Sequence, residues 1–421
     1  MSNSTAAAPP PTGEGTPSRV VGRRRSTAVR QETMRRHNLS LVLREVLDSP
    51  VPVSRSELAA ATGLTRATVS SLVEVLLAAD LLGELAPVTP QGAGRPAVPL
   101  VPARGTVAAI GMVLNVDYLG VRAMDLSGDV LVDHIERDDF RGSDPEAVMG
   151  RAGQMLQRVV DHLQGNTRLA GAGLALPGLV AKTSRTLRLA PNLGWREVDL
   201  NRFLEQPPFA GLRVAVGNEA NLAARAEIRA RGEDAPNFVY VNGEVGVGGA
   251  MVQGGEVFVG PRGGAGEIGH VCIEPDGPAC HCGSTGCLEQ YAGMDAILDA
   301  AGLPRGTPPH ALAARALADD TRVQAAVERA GWALGIALAN TFNMVAVNRV
   351  VLAGSFAAIA ELVQPATEAQ LQRRVMLSPW VPPRIDVAVA GENAAMTGAA
   401  LAAFDDVVAD PAAWGAAATP A

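Results

Sequence analysis

Apolar residues near the N-terminus recur with helical spacing in three short segments. The first segment runs from Met34 to Leu47, the second begins at Ser54 and stops at Gly63, and the third runs from Arg66 to about residue 80. The second segment opens with Ser-Arg-Ser-Glu, the sequence of a capping box, in which a hydroxyl and a carboxylate satisfy free amides of the first turn. We therefore predict three helices, the last two joined by a tight glycine turn.

The third predicted helix combines an apolar stripe with a face of short polar side chains. Its polar positions are the capping Thr65 and then Arg66, Ser70 and Ser71. A slim helix with Arg, Ser and Thr near its N-terminus suits the major groove of DNA, so the pattern is typical of a helix-turn-helix. An ordinary helical hairpin is the alternative.

Two short apolar segments follow, at 81–85 and 98–101, and are typical of the two strands of a wing. Between them lies Gly94-Arg95-Pro96, a thin extended segment that can lay its arginine along the minor groove, or else a plain linker. We assign a winged helix-turn-helix domain with its linker to residues 31–104. The side chains predicted to contact DNA are Thr65, Arg66, Ser70, Ser71 and Arg95.

The pattern changes after residue 105 to strands in series, then a helix and another strand, and this order occurs twice. The first set lies at 107–114, 118–126, 130–135, 143–163 and 170–175, and the second at 238–241, 248–252, 257–259, 323–342 and 349–352. The repetition predicts an α/β region of two similar lobes with a cleft between them, the ribonuclease-H-like, actin-type arrangement. We assign it to residues 105–406, with a disordered arm at 1–30 and a tail at 407–421.

Composition excludes several classes of protein. Hydrophobic residues make up 48% and charged residues 19%, which is typical of a globular chain and not of a disordered one. The most apolar stretch, 332–363, is interrupted by Asn and Arg, and the start of the chain lacks the apolar core of a secretory signal. We therefore expect a cytoplasmic protein without a membrane partner. Four cysteines in 421 residues do not make a disulfide scaffold.

Charge is distributed unevenly along the chain. The first 104 residues hold 12 arginines against 8 acidic residues, whereas the remainder holds 24 basic and 35 acidic residues. The basic N-terminal part can bind a polyanion, and the acidic remainder cannot readily do so. This asymmetry favours DNA binding by the predicted helix-turn-helix.

A cluster of cysteines is the strongest local signal in the sequence. Three thiols lie within eight residues, at Cys280, Cys282 and Cys287. Glycines between them permit sharp turns, so the thiols can converge on a tetrahedral zinc ion, although free core cysteines are an alternative. The fourth ligand is expected to be His270, because His281 is sandwiched between two other ligands. Cys272 lies in an apolar run and is expected to be buried.

Several motifs together resemble the ROK family (repressor, open reading frame, kinase), and in particular its sugar-responsive regulators with an N-terminal winged helix. These motifs are the glycine-rich segment 263–270, the cysteine segment 280–289, and the segments 190–195 and 218–221. The resemblance covers about residues 38–404. It implies sugar contacts from Asn218, Glu219, Glu267, His270 and Glu289, with Asn192 as a further wall of the site. His270 would then bind zinc through one ring nitrogen and a sugar hydroxyl through the other.

The chain departs from the family's kinases where those enzymes hold nucleotide phosphates. In place of an Asp and a Gly-Gly-Thr, it has Val113, Asn115 and Asp117, and the second phosphate loop begins with Glu244. The added carboxylates would repel phosphate. Glu219 replaces the catalytic Asp, but a general base cannot promote phosphoryl transfer when no phosphoryl donor is bound. We therefore expect a regulator with no catalytic residues, and a sugar kinase carrying a DNA-binding domain is the alternative.

The leading hypothesis is a DNA-binding repressor that a monosaccharide releases from its operator. A homodimer or higher homo-oligomer is expected, because one recognition helix seldom supplies enough affinity and two-fold operators match two-fold proteins. Control by a protein partner that docks on the two-lobed domain is a further alternative.

Overall fold

The computed structural model describes residues 31–87, 98–163, 165–181, 183–234 and 236–416. The predicted arm at 1–30 and the Gly94-Arg95-Pro96 segment lie outside these ranges, and so the prediction for Arg95 does too. In the part of the chain that the structure describes, no helix is long and apolar enough to cross a lipid bilayer.

The N-terminal region contains the three predicted helices, which are α1 (Gln31–Asp48), α2 (Arg55–Thr62) and α3 (Arg66–Ala78). The capping box is present: the Glu57 amide donates to Ser54 Oγ at 3.3 Å, and the Ser54 amide donates to the Glu57 carboxylate at 2.7 Å. Gly63 ends α2 with a φ of 70°, in the left-handed region that glycine adopts freely. The turn between α2 and α3 is therefore fixed by the local sequence.

Strands β1 (Leu82–Glu84) and β2 (Leu100–Pro102) follow and pair antiparallel, as predicted for a wing. Val53 forms an additional bridge to Leu100, which ties the strand pair to the loop before α2. Leucine and valine side chains of the three helices pack inside this unit, with Leu43 and Leu76 fully buried. The arrangement is that of a winged helix-turn-helix.

The first lobe is built on a five-stranded sheet in the order β10-β6-β3-β4-β5, and a smaller sheet joins β7, β8 and β9. Its elements are β3 (Val107–Leu114), β4 (Tyr118–Asp125), β5 (Val130–Arg137), α4 (Pro145–Asp161), β6 (Arg168–Leu176), β7 (Leu179–Ala181), β8 (Thr186–Ala190), β9 (Trp195–Asp199), α5 (Asn201–Leu204), β10 (Val214–Asn218) and α6 (Glu219–Arg231).

The second lobe repeats this plan with a sheet in the order β13-β12-β11-β14-β15. Its elements, with the C-terminal helices, are β11 (Phe238–Gly243), β12 (Val247–Gln253), β13 (Glu256–Phe258), α7 (Glu289–Ala292), α8 (Met294–Ala301), α9 (Pro309–Leu317), α10 (Thr321–Val345), β14 (Arg349–Gly354), α11 (Ser355–Ala358), α12 (Ala360–Arg374), β15 (Arg384–Val387), α13 (Ala394–Ala403), α14 (Asp405–Ala409) and α15 (Pro411–Ala416). Three antiparallel strands followed by parallel ones occur in both sheets, so the predicted duplication is confirmed.

Helices α6 and α13 lie between the two sheets and pack against each other. Their small and apolar side chains belong to one core with Ala175 of the first sheet and Tyr240 of the second. Because both lobes share this core, the bottom of the cleft is formed by one continuous packed unit.

Helix α15 and most of α14 lie in the segment assigned as a tail at 407–421, which the structure describes as far as residue 416. These helices contact α1, and Val407 and Val408 are buried together with side chains of the winged helix. The Arg168 guanidinium stacks over the Trp414 ring at 4.0 Å and donates to its carbonyl oxygen at 2.8 Å. The alanine-rich composition concealed this apolar contact, which joins the C-terminus to the N-terminal helices.

Candidate functional site

The cleft residues nearest the first lobe are placed by the start of α6. Asn218 ends β10 and caps the helix, because its Oδ1 accepts from the Asn221 amide at 3.1 Å. Its Nδ2 donates to the carbonyl oxygen of Gly178 at 2.9 Å. The side chain of Asn218 therefore orients α6, in addition to the sugar contact predicted for it, and it directs the next residue, Glu219, into the cleft.

Glu219 is buried and held by two donors from the first hairpin. Its Oε1 accepts from Asn115 Nδ2 at 2.7 Å and from the Tyr118 hydroxyl at 3.5 Å. Burial raises the pKa of Glu219 to about 7, the charge of Asp117 adds to the effect, and the hydrogen bond from Asn115 opposes it. Sequence reasoning missed Asn115 and Tyr118 as partners, because more than 100 residues separate them from Glu219.

Two further carboxylates face the same part of the cleft. Burial raises the pKa of Glu244 well above its usual range, and the charges of Glu219 and Asp117 raise it further. Burial also raises the pKa of Asp117, whose Oδ1 has no hydrogen-bond partner among the described residues. Asp117 and Glu244 thus stand where the kinases that this sequence resembles hold phosphate, and Glu219 lies beside them, so the site disfavours a further negative charge.

A second group of polar side chains joins the two lobes directly. Glu289 begins α7 in the second lobe, and its Oε2 accepts from Asn192 Nδ2 of the first lobe at 3.3 Å and from the Val247 amide at 3.3 Å. Gly246 lies against this pair, and a Cβ atom there would clash with the Glu289 carboxylate. Gly246 and Glu244 share the turn between β11 and β12. The carboxylates around Glu219 and the pair of Asn192 with Glu289 therefore border the same cleft.

Glu267 and His270 complete this side of the cleft on a short 3-10 turn that spans Ile268–His270. Burial raises the pKa of Glu267, the charge of Glu289 adds to the effect, and His270 opposes it. The structure thus brings Asn192, Glu267, His270 and Glu289 together. Carboxylates and amides that converge in a cleft are well suited to the several hydroxyls of a sugar.

The four predicted metal ligands, which are His270, Cys280, Cys282 and Cys287, form one cluster whose ligand atoms all lie within 4.8 Å of one another. The distance from His270 Nδ1 to Cys280 Sγ is 3.7 Å, and that between the sulfurs of Cys282 and Cys287 is also 3.7 Å. A tetrahedron of metal–sulfur bonds about 2.3 Å long has edges of about 3.8 Å. The donor set and its dimensions therefore fit a tetrahedral cation.

Backbone turns of the cysteine loop bring these thiols together. The Cys280 amide donates to the Ser284 carbonyl at 2.8 Å, and Gly286 has a φ of 64° at a position where a Cβ atom would clash with the Glu274 carbonyl. His281 is exposed and outside the cluster. Cys272 is exposed rather than buried, so its expected burial was wrong; an isolated backbone β-bridge pairs it with the buried Cys287.

The predicted DNA-contacting side chains lie on and before α3, far along the chain from the cleft residues. Thr65, Arg66 and Ser71 are exposed and Ser70 is half-buried, and the Thr65 hydroxyl caps the helix by accepting from the Thr68 amide at 3.2 Å. Sequence reasoning missed Arg55, which donates to Glu74 at 2.9 Å and to Glu84 at 2.8 Å. This bridge offsets part of the negative charge that Glu74 and Glu84 place near α3.

Comparison with known proteins relates most of the chain to one family. The ROK family model matches residues 126–405. The xylose repressor of Bacillus spizizenii is 28% identical over 348 residues, which cover 82% of this chain and 89% of that repressor. A crystal structure of a ROK family transcriptional regulator, a homolog of the E. coli MLC protein, superposes with a TM-score of 0.72 at 26% identity over 90% of this chain and 97% of that one.

An enzyme of the same family is similar over a shorter part of the chain. The ROK hexokinase from Thermus thermophilus superposes with a TM-score of 0.57 at 28% identity, over 71% of this chain and 99% of the hexokinase. The relatives therefore include both a repressor and a kinase, and the regulators match a larger share of this chain.

The metal cluster predicts about one tightly bound cation per chain. Cys282→Ser removes one thiolate of the tetrahedral set, so the variant should lose the cation, while the exposed Cys272→Ser should retain it. Elemental analysis of both purified variants and of the original chain measures this. Metal-free original protein, or a Cys282→Ser variant with a full complement of metal, would contradict the assignment.

The raised pKa of Glu219 predicts a pH dependence of stability. Between its ordinary pKa and the folded value of about 7, the folded protein holds a proton that the unfolded chain has released. The free energy of unfolding therefore falls as the pH rises through this range. The Glu219→Gln variant should lack this fall. The difference in free energy of unfolding between the variant and the original chain should therefore shift in favour of the variant by about 2 kcal/mol from pH 5 to pH 7.5.

Urea unfolding at the two pH values measures this difference. The exposed Glu328→Gln on α10 is the control and should change the free energy of unfolding equally at both. A Glu219→Gln variant with the same pH profile as the original chain would contradict the burial of a protonated carboxyl in the cleft.

Proposed function

Since the chain belongs to the ROK family, we propose that it is a sugar-responsive transcriptional repressor. Its winged helix-turn-helix binds operator DNA, and a monosaccharide bound in the cleft releases it. The observation that carries this proposal is the presence, in one chain, of an exposed helix suited to the major groove and a cleft lined by hydroxyl-binding side chains. A regulator of this kind acts on chromosomal DNA, and so in the cytoplasm.

The sugar kinase is the competing function, and the cleft disfavours it. A buried carboxyl with a pKa of about 7, such as Glu219, would serve well as a general base. However, Asp117 and Glu244 place two more carboxylates beside it, where a nucleotide would bring several negative charges. Because phosphoryl transfer depends on cationic and amide groups around the phosphates, we propose that the domain binds sugar without phosphorylating it.

We propose that the cation held by His270 and the three cysteines is zinc. Three thiolates and one imidazole are its preferred tetrahedral set, and a closed set of four leaves no position for a reactive water. Its role would be structural. Cys287 lies two residues before Glu289, so the ion would fix the start of α7, and it would also set the orientation of the His270 ring towards the sugar.

We further propose that the protein works as a homodimer. A two-fold operator needs two recognition helices, each from one copy. In support, the second lobe exposes an apolar surface formed by Met344, Met376 and Trp380, the last of which is 77% exposed. Asn343 joins the two segments of this surface, because its Oδ1 accepts from the Met376 amide at 2.9 Å. An apolar surface of this kind often marks a protein contact.

Sugar binding can reach the DNA-binding region through packed elements. The lobes are bridged by Asn192 with Glu289 and by an ion pair between Arg141 and Asp295 at 2.8 Å, so a sugar held from both sides favours closure. Helix α13 packs against elements of the first lobe and is followed by α14 and α15, which contact α1. A change in the angle between the lobes would therefore alter the spacing of two recognition helices in a dimer.

The experiment that tests this function is an operator-binding titration. The full chain selects its operator from random DNA, and fluorescence anisotropy then follows release by xylose, glucose and N-acetylglucosamine, each with and without ATP. A repressor of the proposed kind is released by a sugar without ATP. Failure to select any DNA sequence, or formation of a sugar phosphate from ATP, would contradict the proposal.

Arg66→Ala should weaken operator binding and relax sequence preference at one position. Arginine at the start of a recognition helix commonly makes two hydrogen bonds to guanine, and losing them costs about 1 to 3 kcal/mol of discrimination. Anisotropy at matched salt, against operators changed at single positions, measures both effects. Arg373→Ala on the exposed side of α12 is the control and should bind as the original chain does. Equal operator affinity and equal base preference in the two variants would show that Arg66 does not contact the DNA.

Glu267→Gln should give a repressor that binds its operator normally and ignores the sugar. The substitution keeps the size of the side chain but removes a charged acceptor for sugar hydroxyls, which costs about 1.5 to 3 kcal/mol of binding. The anisotropy titration detects this as retained DNA affinity with a much higher sugar concentration for release. Release at the original sugar concentration would show that Glu267 does not bind the effector.

A further inference from the structure

A groove that adjoins the cleft at Asn218 runs along α6 to the DNA-binding region. Its volume is about 750 Å³, and its walls come from α6, from β10, from the β12–β13 turn and from the C-terminal end of α1. The groove starts beside Asn218, the residue before Glu219 of the cleft, and ends at Arg44 and Asp48 of α1. It therefore lies between the sugar-binding and DNA-binding parts of the chain.

One face of α6 lines this groove with three polar side chains at successive turns. Asn221, Arg225 and Arg229 are four residues apart, so they lie on one side of the helix and extend over about 12 Å. Arg225 is already neutralised, because its guanidinium pairs with Asp405 and also donates to the Leu401 carbonyl at 3.1 Å. Within the described parts of the chain, the side chains of Asn221 and Arg229 have no such partner.

Arg229 is a half-buried cation without a carboxylate within 4 Å among the described residues, and no hydrogen bond from its guanidinium is formed there. Burial lowers the pKa of Arg229, the neighbouring Arg225 lowers it further, and the more distant Asp48 opposes the effect. A partly buried cation is commonly paired, so an anion in the groove would find a partner in Arg229.

The charges around the groove agree with an anionic occupant. Arg44 and Arg185 also line it and make no ion pair within the described ranges, whereas the unpaired carboxylates are those of Asp48 and Glu256. With Arg225 and Asp405 cancelling, three arginines including Arg229 face two carboxylates. A single phosphate or carboxylate group would therefore be attracted to the end of the groove near α1.

The other end of the groove offers a different chemistry. Asn221 is only 9% exposed, and its Oδ1 is buried without any hydrogen-bond partner in the described structure. An amide oxygen in this state is an acceptor that lacks a donor, and a hydroxyl group is a suitable one. An occupant that satisfies both ends carries an anion at one end and hydroxyls at the other.

We propose that this groove binds a phosphorylated sugar, whose phosphate is held by Arg229 with Arg44 and whose hydroxyls extend towards Asn221. Arg44 belongs to the DNA-binding region and Arg229 to the sugar-binding domain, so the ligand bridges the two. The site is distinct from the cleft, where three carboxylates disfavour phosphate. It thus adds an effector site that senses a charged metabolite, independent of the neutral sugar.

The test measures binding of ribose 5-phosphate, inorganic phosphate and ribose to the full chain by calorimetry. Ribose 5-phosphate should bind most tightly, inorganic phosphate should compete with it weakly, and ribose should not compete. Arg229→Gln should weaken binding of ribose 5-phosphate by about tenfold or more, since a charge-assisted hydrogen bond is lost. Arg44→Gln should weaken it less, and the control Arg373→Gln should leave it unchanged.

Two further variants separate this site from the cleft and one end of the groove from the other. Glu267→Gln, which changes the cleft, should bind ribose 5-phosphate as the original chain does. Binding in the groove can therefore be judged separately from sugar binding in the cleft. Asn221→Ala should weaken ribose 5-phosphate and leave inorganic phosphate unchanged. The proposal is overturned if neither phosphate compound binds saturably, if Arg229→Gln binds as tightly as Arg373→Gln, or if inorganic phosphate binds as tightly as the sugar ester.

Discussion

Helices α6 and α13 pack between the two sheets, and their contact determines the geometry of the cleft and of the junction with the DNA-binding region. The first turn of α6 presents Asn218 and Glu219 to the cleft, while its later turns line the groove that reaches α1. Helix α13 touches β3, β6 and α6 and leads into α14, which packs on α1. Because tightly packed cores transmit strain, these contacts give a movement of one lobe a packed route to the winged helix.

The chemistry of the cleft follows from burying carboxylates close together. Burial raises the pKa values of Glu219, Glu244 and Asp117, and repulsion from neighbouring carboxylates raises those of Glu219 and Glu244 further, so protons and donors such as the Asn115 amide become the preferred neighbours. A neutral polyol supplies donors, whereas a nucleotide supplies more negative charge. These carboxylates are the basis of our proposal that the two-lobed fold binds a sugar without phosphorylating it and that ligand binding acts through a conformational change.

Much of this organisation is predictable from the sequence where the signal is local. The capping box at Ser54, the duplicated strand pattern and the cysteine spacing each depend on neighbouring residues, and each is confirmed as a helix start, a pair of sheets or a thiol cluster. The remainder depends on contacts between distant segments. Neither the bond from Asn115 to Glu219 nor the packing of Val407 on the winged helix has a local pattern, and the alanine-rich C-terminus conceals the latter.

The proposed repressor mechanism requires that the cleft and the DNA-binding helix are coupled. Calorimetry of sugar binding with and without operator tests this coupling most directly. Linkage requires that a sugar which lowers operator affinity be bound more weakly, by the same factor, when operator is present. Typical couplings of about 1 to 3 kcal/mol predict a change in sugar affinity of roughly 5- to 150-fold. Equal sugar affinity in the two titrations would contradict the coupling and, with it, the proposed repressor mechanism.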